Sequence, residues 1–118
     1  MEPPVENSDR PSVLIVDDVA DKRLVIQTIL EGLDLQIVVA RSGEEALKAV
    51  LKQDFAVILL DINLPGMDGL ETAAFIRGRK KSAHTPIIFV TAYHDDDQFR
   101  QGYSLGAVDY IFAPSEYP

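Results

Sequence analysis

Four apolar runs, "VLIV", "IVVA", "AVILL" and "IIFV", punctuate this chain, each four or five residues long, rich in β-branched side chains and set between longer stretches of helical period. That alternation constrains the fold more than any other feature, because strands joined by helical crossovers assemble into a parallel sheet. The segments "SVLIV", "QIVVA", "FAVILL" and "PIIFV" are also apolar without interruption, as strands buried on both faces must be. Between them, "DKRLVIQTILEGL" sets Leu24, Ile26, Ile29, Leu30 and Leu33 on a broad apolar stripe and ends at Glu31-Gly32, which predicts the first crossover helix. "SGEEALKAVLKQ" predicts the second, with Ser42 as its cap, acids in its first turn and Ala46, Leu47, Val50 and Leu51 facing inward. A third is predicted over Gly69 to Arg79, burying Leu70, Ala73, Ala74 and Ile76, and "DDDQFRQGYSLG" gives a weaker fourth that ends at Gly106. "VDYIF" is a fifth strand, and no helix-forming sequence follows it.

Five strands and four helices in strict alternation make a doubly wound α/β fold, and the right-handed crossover rule puts helices on both faces of the sheet. Ligands of such sheets sit beyond the carboxyl ends of the strands. With 118 residues and 47% hydrophobic content, the chain is one domain with a real core. Residues 1–11 hold three prolines and no periodicity and are expected to be a disordered leader, so the domain covers 12–118.

The absence of cysteine excludes disulfides and thiolate metal sites. The apolar runs fall far short of the roughly 18 residues that span a bilayer, and "MEPPVENSDRP" lacks the regions of a signal peptide, so a cytoplasmic location without membrane insertion is expected. A formal net charge of -8 repels phosphate backbones and argues against direct nucleic-acid binding by this domain. Cations and proteins are the expected ligands.

Strand 1 ends in Asp17-Asp18, strand 3 in Asp61 and strand 4 in Thr91, so residues distant in sequence converge on one edge of the sheet. Two like charges about 4 Å apart repel by roughly 4 kcal/mol at an effective dielectric near 20, so three clustered carboxylates need a cation or a proton. Magnesium, which takes oxygen ligands from one or two carboxylates together with phosphate, suits such a site. Asp95-Asp96-Asp97 is read as a solvated helix start without chemistry, and His84 and His94 as surface residues with no metal or nucleophile partner.

These motifs, "LIVDD", "ILLDINLPGMDGLE", "IIFVTA" and "GAVDYIFAP", resemble the receiver domain of two-component response regulators over Val13 to Pro114, in the family's order and spacing. The resemblance implies a flavodoxin-like strand order 2-1-3-4-5. It also implies that Asp61 is the phosphoacceptor, attacking the phosphoryl group of a partner's phosphohistidine or of a small phosphodonor. Asp17, Asp18, Asp61 and the backbone carbonyl of Asn63 would bind magnesium, Thr91 would contact a phosphoryl oxygen, and Tyr110 would be the aromatic switch. The partners implied are a histidine kinase or phosphotransfer protein and an output domain or protein.

Two departures stand out. The family's lysine before the proline after strand 5 is here Ala113, and the bond to Pro114 is cis in the family. If that lysine contact is made fully in the transition state, losing a charge-assisted hydrogen bond of about 1.5–3 kcal/mol slows transfer by roughly 10- to 150-fold. The family's fifth helix also has no counterpart in "SEYP". That leads to the expectation of either a boundary inside a longer protein or a homo-oligomer through the face beside helix 1.

The leading function is thus a phosphoacceptor receiver in a phosphorelay, a signalling domain rather than an enzyme, with no more catalysis than self-phosphorylation and slow autodephosphorylation. A pseudo-receiver acting as a constitutive interaction module is the alternative that Ala113 favours. A magnesium-dependent phosphohydrolase is disfavoured, because Asn63 stands where it would need a general acid.

Overall fold

A computed structural model describes residues 10–91, 96–104, 106 and 109–112, with 91, 96, 98, 99 and 109–112 described by secondary structure alone. The elements follow the alternation read from the sequence: β1 (Ser12–Val16), α1 (Ala20–Leu30), β2 (Gln36–Ala40), α2 (Gly43–Lys52), β3 (Val57–Asp61), α3 (Gly69–Arg77), a 3-10 turn (Lys80–Ser82), β4 (Ile87–Thr91), α4 (Asp96–Ser104) and β5 (Asp109–Phe112). All strand pairs are parallel and the order is β2-β1-β3-β4-β5. No helix among the described residues is long and apolar enough to cross a membrane.

Strand residues alternate between two faces. Leu14, Val16, Ile58, Leu60, Ile87 and Phe89 form one core with Ala46 and Val50 of α2 and Ala73 and Ile76 of α3. Val13, Ile15 and Val90, offset by one, are buried toward the opposite face. Both helices of the first core are capped as their sequences require. Ser42 accepts from the Glu45 amide, and Asp68 and Glu71 form a reciprocal capping box that fixes where α3 begins.

Three helical expectations need correction. The α1 stripe forms but is not covered: none of its residues is fully buried, Leu24 and Ile29 are 61% and 72% exposed, and Leu33 lies beyond the helix and is exposed. Periodicity identifies an amphipathic helix but not what packs on it. In α2, Leu51 is exposed while Ala46 and Val50 are buried, and in α3 Ala74 is exposed and the helix stops at Arg77, where Gly78 caps it. Arg77 then reaches across to the carbonyls of Thr85 at 2.6 Å and Gly106 at 3.1 Å, tying α3 to the entry of β4 and the end of α4. His84 is exposed as expected, and His94 lies outside the described residues.

Candidate functional site

β1 and β3 are neighbours with Val16 opposite Leu60, so Asp17, one residue past β1, stands beside Asp61, the last residue of β3. Both carboxylates are almost completely buried, at 1% and 3% exposure, whereas Asp18 is exposed. Carboxylate oxygens of Asp17, Asp18 and Asp61 lie within 4.8 Å of one another.

The two buried acids are oriented by the same local device. Asp17 Oδ1 accepts from the Val19 amide at 2.9 Å, and Asp61 Oδ1 accepts from the Asn63 amide at 3.1 Å. Each is an Asx-type bond to the backbone two residues on. With Oδ1 held locally, both Oδ2 atoms turn into the shared pocket, where Lys22 Nζ lies 3.3 Å from Asp17 Oδ2 and 3.4 Å from Asp61 Oδ2. Lys22 comes from the first turn of α1, which is tied to β1 by Arg23 donating to the Asp17 carbonyl at 2.7 Å. On the other side, α3 closes in so tightly that the Gly69 amide donates to the Ile62 carbonyl at 2.8 Å.

The electrostatics are uneven. Burial pushes the Asp61 carboxyl above the ordinary carboxylate range and the neighbouring Asp17 adds to this, while the Asn63 amide and Lys22 pull the other way. Burial pulls on the Lys22 ammonium too, but the Asp61 and Asp17 carboxylates outweigh it and hold its pKa above the usual lysine value. The ammonium gains from the cluster, and Asp61 still carries a net penalty. Three carboxyl groups share one ammonium, so with all three ionised two negative charges would be left over.

Asp17 Oδ2 is buried and, despite the nearby ammonium, accepts no aligned hydrogen bond. A hard divalent cation would satisfy that oxygen and cancel the residual charge, so the donor set fits magnesium. The predicted acids Asp17, Asp18 and Asp61 are thus brought together, and Asn63 adjoins them through its amide, which donates to Asp61 Oδ1. Thr91 ends β4, one residue beyond the partner of Asp61, and Tyr110 lies in β5 opposite Phe89. Ala113 and Pro114, with the expected cis bond between them, lie outside the described residues. Lys22 was not singled out from the sequence, since a lysine in an exposed first helical turn looks like an ordinary solvated charge.

The response regulator receiver domain family matches residues 13–117. The chain is 36% identical over 110 residues to transcriptional regulatory protein ResD of Bacillus subtilis (strain 168), covering 93% of this chain and 45% of that protein. It is 38% identical over 102 residues to transcriptional regulatory protein SrrA of Staphylococcus aureus (strain NCTC 8325 / PS 47), covering 86% and 41%. It therefore spans less than half the length of these relatives. Among solved structures, chemotaxis protein CheY4 of Vibrio cholerae is similar with a TM-score of 0.84 at 29% identity, covering 91% of this chain and 89% of that one. Response regulator protein TrrA of Thermotoga maritima, solved in complex with Mg(2+)-BeF, gives 0.77 at 33% identity, covering 87% and 86%. A parallel sheet in this order, the acids at its carboxyl edge and these similarities lead to one conclusion: the chain belongs to the response regulator receiver domain family of two-component signalling.

Proposed function

We propose that this domain takes a phosphoryl group onto Asp61 from a histidine kinase or phosphotransfer protein and thereby switches its contacts with an output domain or protein. The support is geometric: Asp61 is buried at the end of the central strand, with Oδ1 held by the Asn63 amide and Oδ2 turned toward Asp17 and accepting a long bond of 3.4 Å from Lys22. Phosphoryl transfer through a loose transition state asks the protein for an in-line nucleophile and neutralisation of oxygen charge. Asp17, Asp18, Asp61 and the Asn63 carbonyl would hold magnesium, which supplies part of that neutralisation. Thr91 would hydrogen-bond the new phosphoryl oxygens and Tyr110 would report the change to the β5 side. A new charge at a strand end biases neighbouring loops and helices, which makes the domain a switch rather than a metabolic enzyme. Ala113 supports a second reading, in which the domain is a pseudo-receiver with constitutive contacts.

Incubation with magnesium and a small phosphodonor, followed by intact mass and amide spectra, separates the two. Uptake of one phosphoryl group with widespread spectral change is expected, and an inert protein supports the pseudo-receiver.

Magnesium should also stabilise the fold, because it binds the native acids and not the unfolded chain. At a hundred times its Kd the gain is about 2.7 kcal/mol, read as a rise in Tm that a chelator reverses. No rise at any magnesium concentration would contradict the ligand set.

Homo-oligomerisation belongs to the same reading. The exposed Leu24, Val25 and Ile29 of α1 offer an apolar surface, and light scattering at micromolar concentration should give more than the monomer mass. A stable monomer refutes it.

A further inference from the structure

We propose that Lys22 is a catalytic cation of this site, contacting the phosphoryl group from α1 in a chain whose position before Pro114 carries alanine. The inference rests on the phosphoacceptor reading of Asp61.

Several features converge on it. Lys22 Nζ is near the oxygens of both buried acids, yet at 3.3 and 3.4 Å it sits outside the 2.7–2.9 Å typical of tight charge-assisted bonds. Asp17 Oδ2, moreover, receives no aligned hydrogen bond from it. The ammonium is kept in the pocket by the two carboxylates and by one long hydrogen bond, 3.4 Å, that it donates to Asp61 Oδ2, which leaves N–H groups able to turn to a new acceptor. Its side chain is 36% exposed while those of Asp17 and Asp61 are 1% and 3% exposed, so of these three side chains Lys22 is the one open to solvent and to an incoming group.

A divalent cation taking the Asp17 and Asp18 oxygens would repel the ammonium from Asp17 and leave Asp61 and the phosphoryl oxygens as its partners. During transfer, an Asp61 oxygen lone pair forms the new O–P bond while the P–N bond of a phosphohistidine, or the P–O bond of a small acyl phosphate, breaks. The bonding pair leaves with the donor. Lys22 keeps its protons and donates hydrogen bonds to equatorial oxygens whose charge is being redistributed. No other described lysine or arginine forms an ion pair with Asp17 or Asp61.

The test compares wild type, Lys22→Met, Lys22→Gln, Lys22→Arg and Asp61→Asn, each checked for native amide spectra. Two readouts are used: the rate of acyl phosphate formation from acetyl phosphate at saturating magnesium, and the magnesium Kd from amide shifts without donor. Lys22→Met and Lys22→Gln should slow formation by about 10- to 150-fold while binding magnesium as tightly as wild type or more tightly, and Lys22→Arg should retain most of the rate. A Met or Gln variant that reacts as fast as wild type or faster overturns the proposal and makes Lys22 a counter-ion competing with the metal. A variant rate that is slow at limiting magnesium but equals that of wild type at saturating magnesium overturns it as well, since Lys22 would then act on metal binding alone. If wild type is as inert as Asp61→Asn, the phosphoacceptor reading itself falls and takes this inference with it.

Discussion

Asp61→Asn should abolish phosphoryl uptake and, in the same protein, raise the melting temperature. The first effect follows from losing the proposed nucleophile, since an amide oxygen forms no stable acyl phosphate. The second follows from the electrostatics of the pocket. Burial raises the Asp61 pKa above its value in the unfolded chain, so between those two values the native state binds more protons than the unfolded state, and stability falls as pH rises through that window. Above that window the whole penalty is present. Asparagine removes the charge and keeps an oxygen in place to accept from the Asn63 amide, while Lys22 retains Asp17 as a partner. A gain of about 1 kcal/mol is expected, as for other substitutions that relieve a strained functional site, corresponding to a Tm rise of about 4 °C in a domain of this size. Calorimetry in chelator should show that difference at neutral pH and show it closing as pH falls below the ordinary carboxylate value. Equal melting temperatures across that range would mean that Asp61 carries no such penalty.

Gly69→Ala has the largest expected effect on folding. A Cβ at Gly69 would come 2.7 Å from Ile62 Cα and closer still to the Asp61 carbonyl oxygen. Both obstacles are backbone, so no side-chain rotation relieves the clash. Either α3 retreats from the end of β3, breaking the Gly69 amide bond to the Ile62 carbonyl, or the Asp61-Ile62 segment shifts. Overpacking of this kind costs about 3 kcal/mol, a Tm loss of more than about 10 °C. Because the displaced segment carries Asp61 and leads to Asn63, magnesium affinity should fall in whatever fraction still folds. A glycine is needed here for close approach, and a variant with native stability would show that α3 does not pack as described.

The strands and the acidic cluster were legible in the sequence for definite reasons. Strands buried on both faces leave unbroken apolar runs, and alternation with helices forces a parallel sheet, so Asp17, Asp18 and Asp61 had to meet at its carboxyl edge. What could not be read was what the third dimension adds. The exposure of Leu24 and Ile29 depends on what covers α1, which a period of 3.6 residues does not encode. The arrival of Lys22 depends on the reach of a long flexible side chain five residues from Asp17 and on two Asx bonds that turn both Oδ2 atoms toward it. Nothing in the spacing of one lysine on a helix distinguishes that geometry from a solvated charge.

Asp61 is proposed as the residue that accepts the phosphoryl group, and its chemistry allows a direct test. Borohydride reduces an aspartyl phosphate to homoserine, so it records the acceptor as a permanent change of residue. After reaction with magnesium and acetyl phosphate, reduction and peptide mass mapping, homoserine is expected at position 61, dependent on magnesium and absent when donor is omitted. Homoserine at another aspartate, or none anywhere while a control receiver domain is labelled, would contradict the account.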